Sequence, residues 1–236
     1  MASLTEMLDV PDSGGYASVR AVVAAIESVM TFPAMPAIAI RVVPAVHGGG
    51  EGAYVRHRGG SPLRIEIAQQ AEHPELTTAH ELAHYLDDCG FGTSEGWASE
   101  AEPRLEALRQ AWGNTDAVRA LRTGLETRQL TASLPNGAQV EFPLMPEERE
   151  NCRYYLQGQE LFARSYAQYL ADKSKNRVLL HQVRQRRESV EGRFYHVQWA
   201  TSGQSPKRSI RFWRNTDGCD KCRPGGRCFW SERVRH

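Results

Sequence analysis

The segment Thr77-Thr78-Ala79-His80-Glu81-Leu82-Ala83-His84-Tyr85-Leu86-Asp87-Asp88 constrains this 236-residue chain more than any other. Pro74 can open a helix, Glu75 suits its positive end, and Cys89-Gly90 can close it, so the spacing predicts a helix over 74–88. On such a helix His80 and His84 stand one turn apart on the same face, from which both imidazoles can reach one metal ion. Glu81 falls beside that face, close enough to meet a water at the metal without ligating it. Leu76, Ala79, Ala83 and Leu86 occupy other positions and can pack the helix into a core. A chance match to His-Glu-x-x-His in a chain of this length is expected on the order of once per hundred sequences or less.

Two imidazoles leave a catalytic Zn²⁺ one protein ligand short, with a further position kept open. No histidine follows closely enough to extend the motif, so the third ligand must come from elsewhere in the chain. The stretch Gln159-Glu160-Leu161-Phe162-Ala163-Arg164-Ser165-Tyr166 lies in a strongly helical region too apolar for a solvated surface, and Glu160 is the choice there. Its competitors are Glu95, Glu100 and Glu102. Arg164, one turn on, is placed to orient the Glu160 carboxylate. Asp87 and Asp88 are candidates to accept a ring N–H from a liganding histidine, or else form an exposed helix end. Tyr166 and Tyr169 are possible donors to an oxyanion, but their helical phase differs from that of Glu160 and favours core packing.

These two segments resemble the zincin-like metallopeptidase domains of phage and mobile-element polyvalent proteins and, more distantly, the ImmA/IrrE-type peptidases. The resemblance spans about residues 38–172; its more discriminating half is Glu160-Leu161-Phe162-Ala163-Arg164. It implies an α+β, mainly helical zincin-like fold with a small sheet beside the active helix. It also implies a gluzincin-type site in which His80, His84 and Glu160 hold Zn²⁺ and Glu81 is the catalytic base, acting on a protein or peptide substrate.

The remainder of the chain fits that expectation. Helical periodicity appears over 17–30, 103–112, 116–127 and 146–173. Short strands are expected over 38–46, 53–56 and 63–67, and a loop around Pro135-Asn136-Gly137. With 41% hydrophobic and 24% charged residues the chain can bury a core, and no run of about 18 apolar residues exists to form a membrane span. No basic start followed by an apolar core marks a signal peptide, so the expected location is cytoplasmic.

The net charge of +1 conceals an asymmetry. Residues 176–236 hold 14 Lys and Arg against 5 Asp and Glu, a balance of +9, whereas residues 1–175 hold 15 against 23, a balance of −8. We therefore divide the chain into a zincin-like domain (1–175) and a basic extension (176–236) with seven aromatic residues and strands expected over 193–200 and 208–214. The extension suits an acidic protein or a nucleic acid as partner. Cys219, Cys222 and Cys228, with His196 or His236, form an incomplete pattern for a second zinc, and free thiols fit it equally. The alternative to a peptidase is a non-proteolytic zinc-bearing module that binds such a partner through its basic part.

Overall fold

The computed structural model describes residues 3–12, 15–46, 48–91, 96–133 and 139–188, and its fold is α+β. One turn of helix, α1 (Leu4–Met7), leads into a two-residue strand β1 (Leu8–Asp9) and then α2 (Ala17–Val29). Val19, Val22, Val23 and Ile26 recur at helical spacing in α2 and are all buried. Three strands follow, β2 (Ile38–Val43), β3 (Gly52–Arg56) and β4 (Pro62–Ala68). The sheet order is β1-β2-β4-β3, with β1, β2 and β4 parallel and β3 antiparallel to β4 at one edge.

Helix α3 (Pro74–Cys89) is the centre of the molecule, packed against α2, β3 and β4. Leu82, Ala83, Tyr85 and Leu86 are fully buried, and the Tyr85 hydroxyl donates to the Pro36 carbonyl across the core. After α4 (Ala98–Ala101) come a 3₁₀ turn (Pro103–Leu105), α5 (Glu106–Gly113) and α6 (Asp116–Thr127). The loop expected around Pro135 is flanked by a hairpin, β5 (Gln129–Ser133) with β6 (Gln139–Pro143). Leu130 of that hairpin joins Leu121, Leu144 and Cys152 in a small satellite core.

The helix expected over 146–173 is two helices, α7 (Pro146–Tyr155) and α8 (Gly158–Ser174). The break falls at Leu156–Gln157, where Gln157 takes an extended conformation with ψ 142°. Gly158 opens α8 close against α4: a Cβ there would stand 3.1 Å from Glu100 Cγ and 3.4 Å from Ser99 Oγ, so a larger residue would need those side chains to give by a few tenths of an ångström. Helix α9 (Arg177–Glu188) then returns along α8 and α3, burying Leu179 and Val183 in the main core. Gln182 ties it to the start of α3, accepting from the Leu76 N–H and donating to Glu75. The charge balance changes after Lys175, whereas apolar packing continues through α9. The strands expected over 193–200 and 208–214, Cys219, Cys222, Cys228, His196 and His236 lie outside the described residues. No helix among the described residues is long and apolar enough to cross a membrane.

Candidate metal centre

Helix α3 delivers His80 and His84 to one side, where their rings meet edge-on with centroids 4.7 Å apart and their Nε2 atoms 3.1 Å apart. Helix α8 packs across α3 and directs Glu160 into the same point. Its Oε1 is 3.2 Å from His84 Nε2 and its Oε2 is 3.5 Å from His80 Nε2. The ligating atoms of His80, His84 and Glu160 all lie within 4.8 Å of one another, and this is the only such group among the described residues. Atoms held 2.0–2.1 Å from one ion at tetrahedral angles stand about 3.4 Å apart, which the 3.1–3.5 Å separations match. The buried Glu160 Oε2 makes no hydrogen bond, as expected of a donor kept for a cation. The cluster could therefore hold a metal ion.

Electrostatics follow from that convergence. Burial by itself would raise the Glu160 pKa, but the neighbouring His80 and His84 rings outweigh it and hold the carboxyl well below its usual range. For His84, burial opposes the charged ring while Glu160 and Glu81 favour it, with a net rise. Arg164 NH2 stands 3.5 Å from Glu160 Oε2, and its guanidinium lies over the Tyr155 ring at 3.9 Å, so it supports the carboxylate as the sequence suggested.

Glu81 lies beside the cluster and outside it. It is 6% exposed, and burial pushes its pKa up against the lowering influence of His80 and His84. The Tyr54 backbone of the edge strand β3 is hydrogen-bonded to it. That closeness depends on Gly52, where a Cβ would stand 2.6 Å from Thr77 Cγ2 and 2.8 Å from both Cγ and Oε1 of Glu81. A cleft of about 580 Å³ opens over these groups, with Gly52, His80, Glu81, Glu160 and Tyr154 among its lining.

The other residues singled out from sequence fall elsewhere. Glu102 caps the 3₁₀ turn through the Arg104 N–H, Glu100 faces the start of α8, and Glu95 lies outside the described residues. Asp87 and Asp88 are buried and neither bonds a histidine ring. Asp87 accepts from the N–H and the hydroxyl of Ser99, both at 2.6 Å, while Asp88 takes the Tyr54 hydroxyl and Arg56. Burial nevertheless raises Asp87 to about 6, with the Ser99 hydrogen bonds offsetting part of the rise. Tyr166 is wholly buried in the core, its hydroxyl directed at Met30 Sδ, and Tyr169 packs at the core edge.

Three contributors escaped the sequence reading. Tyr154, at the end of α7, lines the cleft, and burial together with the Glu160 and Glu81 carboxylates pushes its phenol pKa up. Trp97 stands edge-on to His84 at 5.7 Å and carries Arg56 over its ring. Gly52 sets the approach of β3. Only Gly158, which marks the break that frees Tyr154 from the phase of α8, was a usable signal. No family model matches the chain, and no curated protein or solved structure is significantly similar to it.

Proposed function

We propose that this chain is a zinc-dependent metalloendopeptidase of zincin-like fold, with His80, His84 and Glu160 as the metal ligands and Glu81 as the general base. The observation that carries the reading is the meeting of all three donors at metal-site spacing with an acid held beside them and outside the ligand set. Two imidazoles and a carboxylate leave an open coordination position, the donor set of hydrolytic zinc. Zn²⁺ bound there would supply Lewis acidity, lowering the pKa of water and polarising a carbonyl oxygen.

The protein groups account for the proton traffic. Glu81, buried beside the three ligands and outside their set, is placed to exchange a proton with a water at the metal. It takes a proton from the water that attacks the scissile carbonyl carbon. It then gives that proton to the amide nitrogen as the C–N bond breaks, leaving a carboxylic acid and an amine. The Tyr154 phenol, kept protonated, donates a hydrogen bond to the oxygen that gains charge. Strand β3, at the edge of the sheet, can align an extended peptide through its backbone. The likeness of the α3 and α8 segments to zincin-like domains of polyvalent proteins agrees with this assignment.

The test is to load purified protein with zinc and assay it against a peptide library beside Glu81→Gln. Wild type should cleave, and the variant should retain the metal and the fold while turnover falls roughly 10²–10⁴-fold. Metal retention with no cleavage of any peptide by wild type would instead favour a non-proteolytic zinc-bearing module.

A further inference from the structure

Asp87 and Asp88 end the helix that carries both histidines, and both are buried although neither bonds a histidine ring. Each leads to the same residue. Asp87 accepts from the Ser99 N–H and the Ser99 hydroxyl, which fixes the single turn of α4 against α3. Trp97 is the N-cap of α4, two residues before Ser99, so this pair sets where the Trp97 backbone lies. Asp88 accepts from the Tyr54 hydroxyl at 2.7 Å and from Arg56 at 3.0 Å. The Arg56 guanidinium is held a second time by the Gly60 carbonyl, 2.7 Å from its Nε, and lies over the Trp97 ring at 5.0 Å. The Tyr54 ring meets Trp97 edge-on at 5.9 Å.

The ring clamped in this way ends on His84. Trp97 and His84 are edge-on with centroids 5.7 Å apart and an interplanar angle of 63°. A metal-bound imidazole almost always donates its second ring N–H to a carboxylate or a carbonyl, and that bond fixes the rotation of the ring. Among the described residues the buried His84 Nδ1 has no hydrogen-bond partner, and Asp87, three residues on, is committed to Ser99. Packing must then do what the acceptor does elsewhere. The aromatic neighbours of His84 are His80, itself a proposed ligand, at 4.7 Å, and Trp97, which stands outside the ligand set.

We infer that Asp87 and Asp88 serve the metal centre through Trp97, which they hold by its backbone and by its ring, and that Trp97 is the positioning residue that keeps the His84 imidazole in its ligating orientation. This rests on the metal-centre reading above and adds to it a support that reaches in from β3 and α4, outside the two ligand-bearing helices.

The experiment uses full-length protein and two metal probes. One is Zn²⁺ titrated against a competing chelator, and the other is the visible absorption of the Co²⁺-loaded site, whose bands follow ligand geometry. Trp97→Ala should weaken zinc binding by about tenfold, the lower end for loss of an outer partner, and should shift the Co²⁺ bands. Trp97→Phe keeps an aromatic ring and should retain most of the affinity. Arg56→Ala should move both readouts in the same direction but less. In the double variant it should add little to Trp97→Ala, because Arg56 acts through that ring. Full additivity of the two substitutions, or wild-type zinc affinity and Co²⁺ bands in Trp97→Ala, would overturn the inference and leave the metal centre standing. A loss of thermal stability with both metal readouts unmoved would overturn it equally, assigning the array to the fold alone. If Trp97→Ala does not fold, Arg56→Ala decides, and wild-type readouts there refute the clamp. Should wild type bind no zinc, the metal reading fails by itself, and NMR of protein with isotope-labelled histidine rings decides the positioning. A single sharp His84 set that doubles or broadens in Arg56→Ala supports the clamp, and an unchanged set refutes it.

Discussion

Helices α3 and α8 supply one cluster but are specified over different ranges. In α3 the helix repeat alone sets the relation of His80 to His84, so any sequence that makes this segment helical brings their Nε2 atoms together. In α8 the local pair with Arg164 does not by itself aim Glu160. Its position depends on Gly158 lying against Ser99 and Glu100, on Phe162 and Tyr166 filling the core, and on Arg164 behind the carboxylate. A site built this way joins a locally encoded pair to a ligand delivered by tertiary packing, so metal binding should report on the fold.

The comparison is put at most risk by exchanging the two contributions. Glu160→Ala should lower zinc affinity beyond the roughly 10–100-fold typical of an outer partner, and His84→Ala should do the same. Zinc titration against a competing chelator measures both. A Glu160→Ala protein that binds zinc like wild type would make α3 sufficient and remove α8 from the site.

A second test concerns Asp87, which α3 places one turn from His84 and which packing assigns to Ser99 of α4. Its carboxyl is raised from 3.8 to about 6, chiefly by burial. The folded protein therefore holds that proton to higher pH than the unfolded chain does. The contribution to stability is present at low pH and is lost as pH rises from about 4 to 6, by about 3 kcal/mol for a shift of some two units. Comparing metal-free wild type with Asp87→Asn by denaturant unfolding across that window isolates the slope, since the other titrating groups are common to both. Asn keeps an acceptor oxygen for Ser99 and should flatten the profile. Parallel profiles would show that Asp87 titrates as an ordinary acid.

How far the sequence reveals such a site depends on the range of the interactions. The α3 pair, the apolar character of α8 and the presence of a small sheet follow from periodicity, because the 3.6-residue and two-residue repeats are local. The break between α7 and α8 was hidden, because Leu156 and Gln157 do not themselves stop a helix, and Gly158, which packs close to Ser99 and Glu100 more than fifty residues away, was the one local signal. The continuation of packing into α9 was obscured by charge. Leu179, Gln182 and Val183 carry the buried face of a helix otherwise rich in arginine. For Asp87 and Asp88 the sequence left open a histidine partner or an exposed helix end, because their actual partners, Ser99, Tyr54 and Arg56, come from α4 and β3.

Tyr154 tests the consequence of that hidden break. Were α7 and α8 continuous, residue 154 would turn away from Glu160, whereas the turn at Leu156–Gln157 returns it to the cleft. Tyr154→Phe removes only the hydroxyl and should lower kcat about 10²-fold, the lower end for losing one donor to a developing oxyanion, with zinc affinity unchanged. Unaltered kcat in the variant would leave Tyr154 as a wall of the cleft only.

The smallest effect is expected at the third element, strand β3, which gives the site no ligand yet lies against Glu81. At Gly52 a single added methyl meets Thr77 Cγ2 at 2.6 Å and Glu81 at 2.8 Å, and neither neighbour can withdraw freely. Thr77 is hydrogen-bonded to Glu51, and Glu81 is buried and bonded to the Tyr54 backbone. Gly52→Ala must therefore push the strand outward or displace the base. Overpacking of this kind costs about 1–3 kcal/mol of stability, and a base displaced by a fraction of an ångström should lose about tenfold in kcat. The three atoms nearest the added methyl belong to Thr77 and Glu81, not to the ligands His80, His84 or Glu160, so zinc affinity should be retained. That combination would separate the element that positions the base from the two helices that hold the metal. A Gly52→Ala protein with wild-type stability and kcat would mean that β3 does not press on Glu81 at all, and the base would then owe its position to α3 alone.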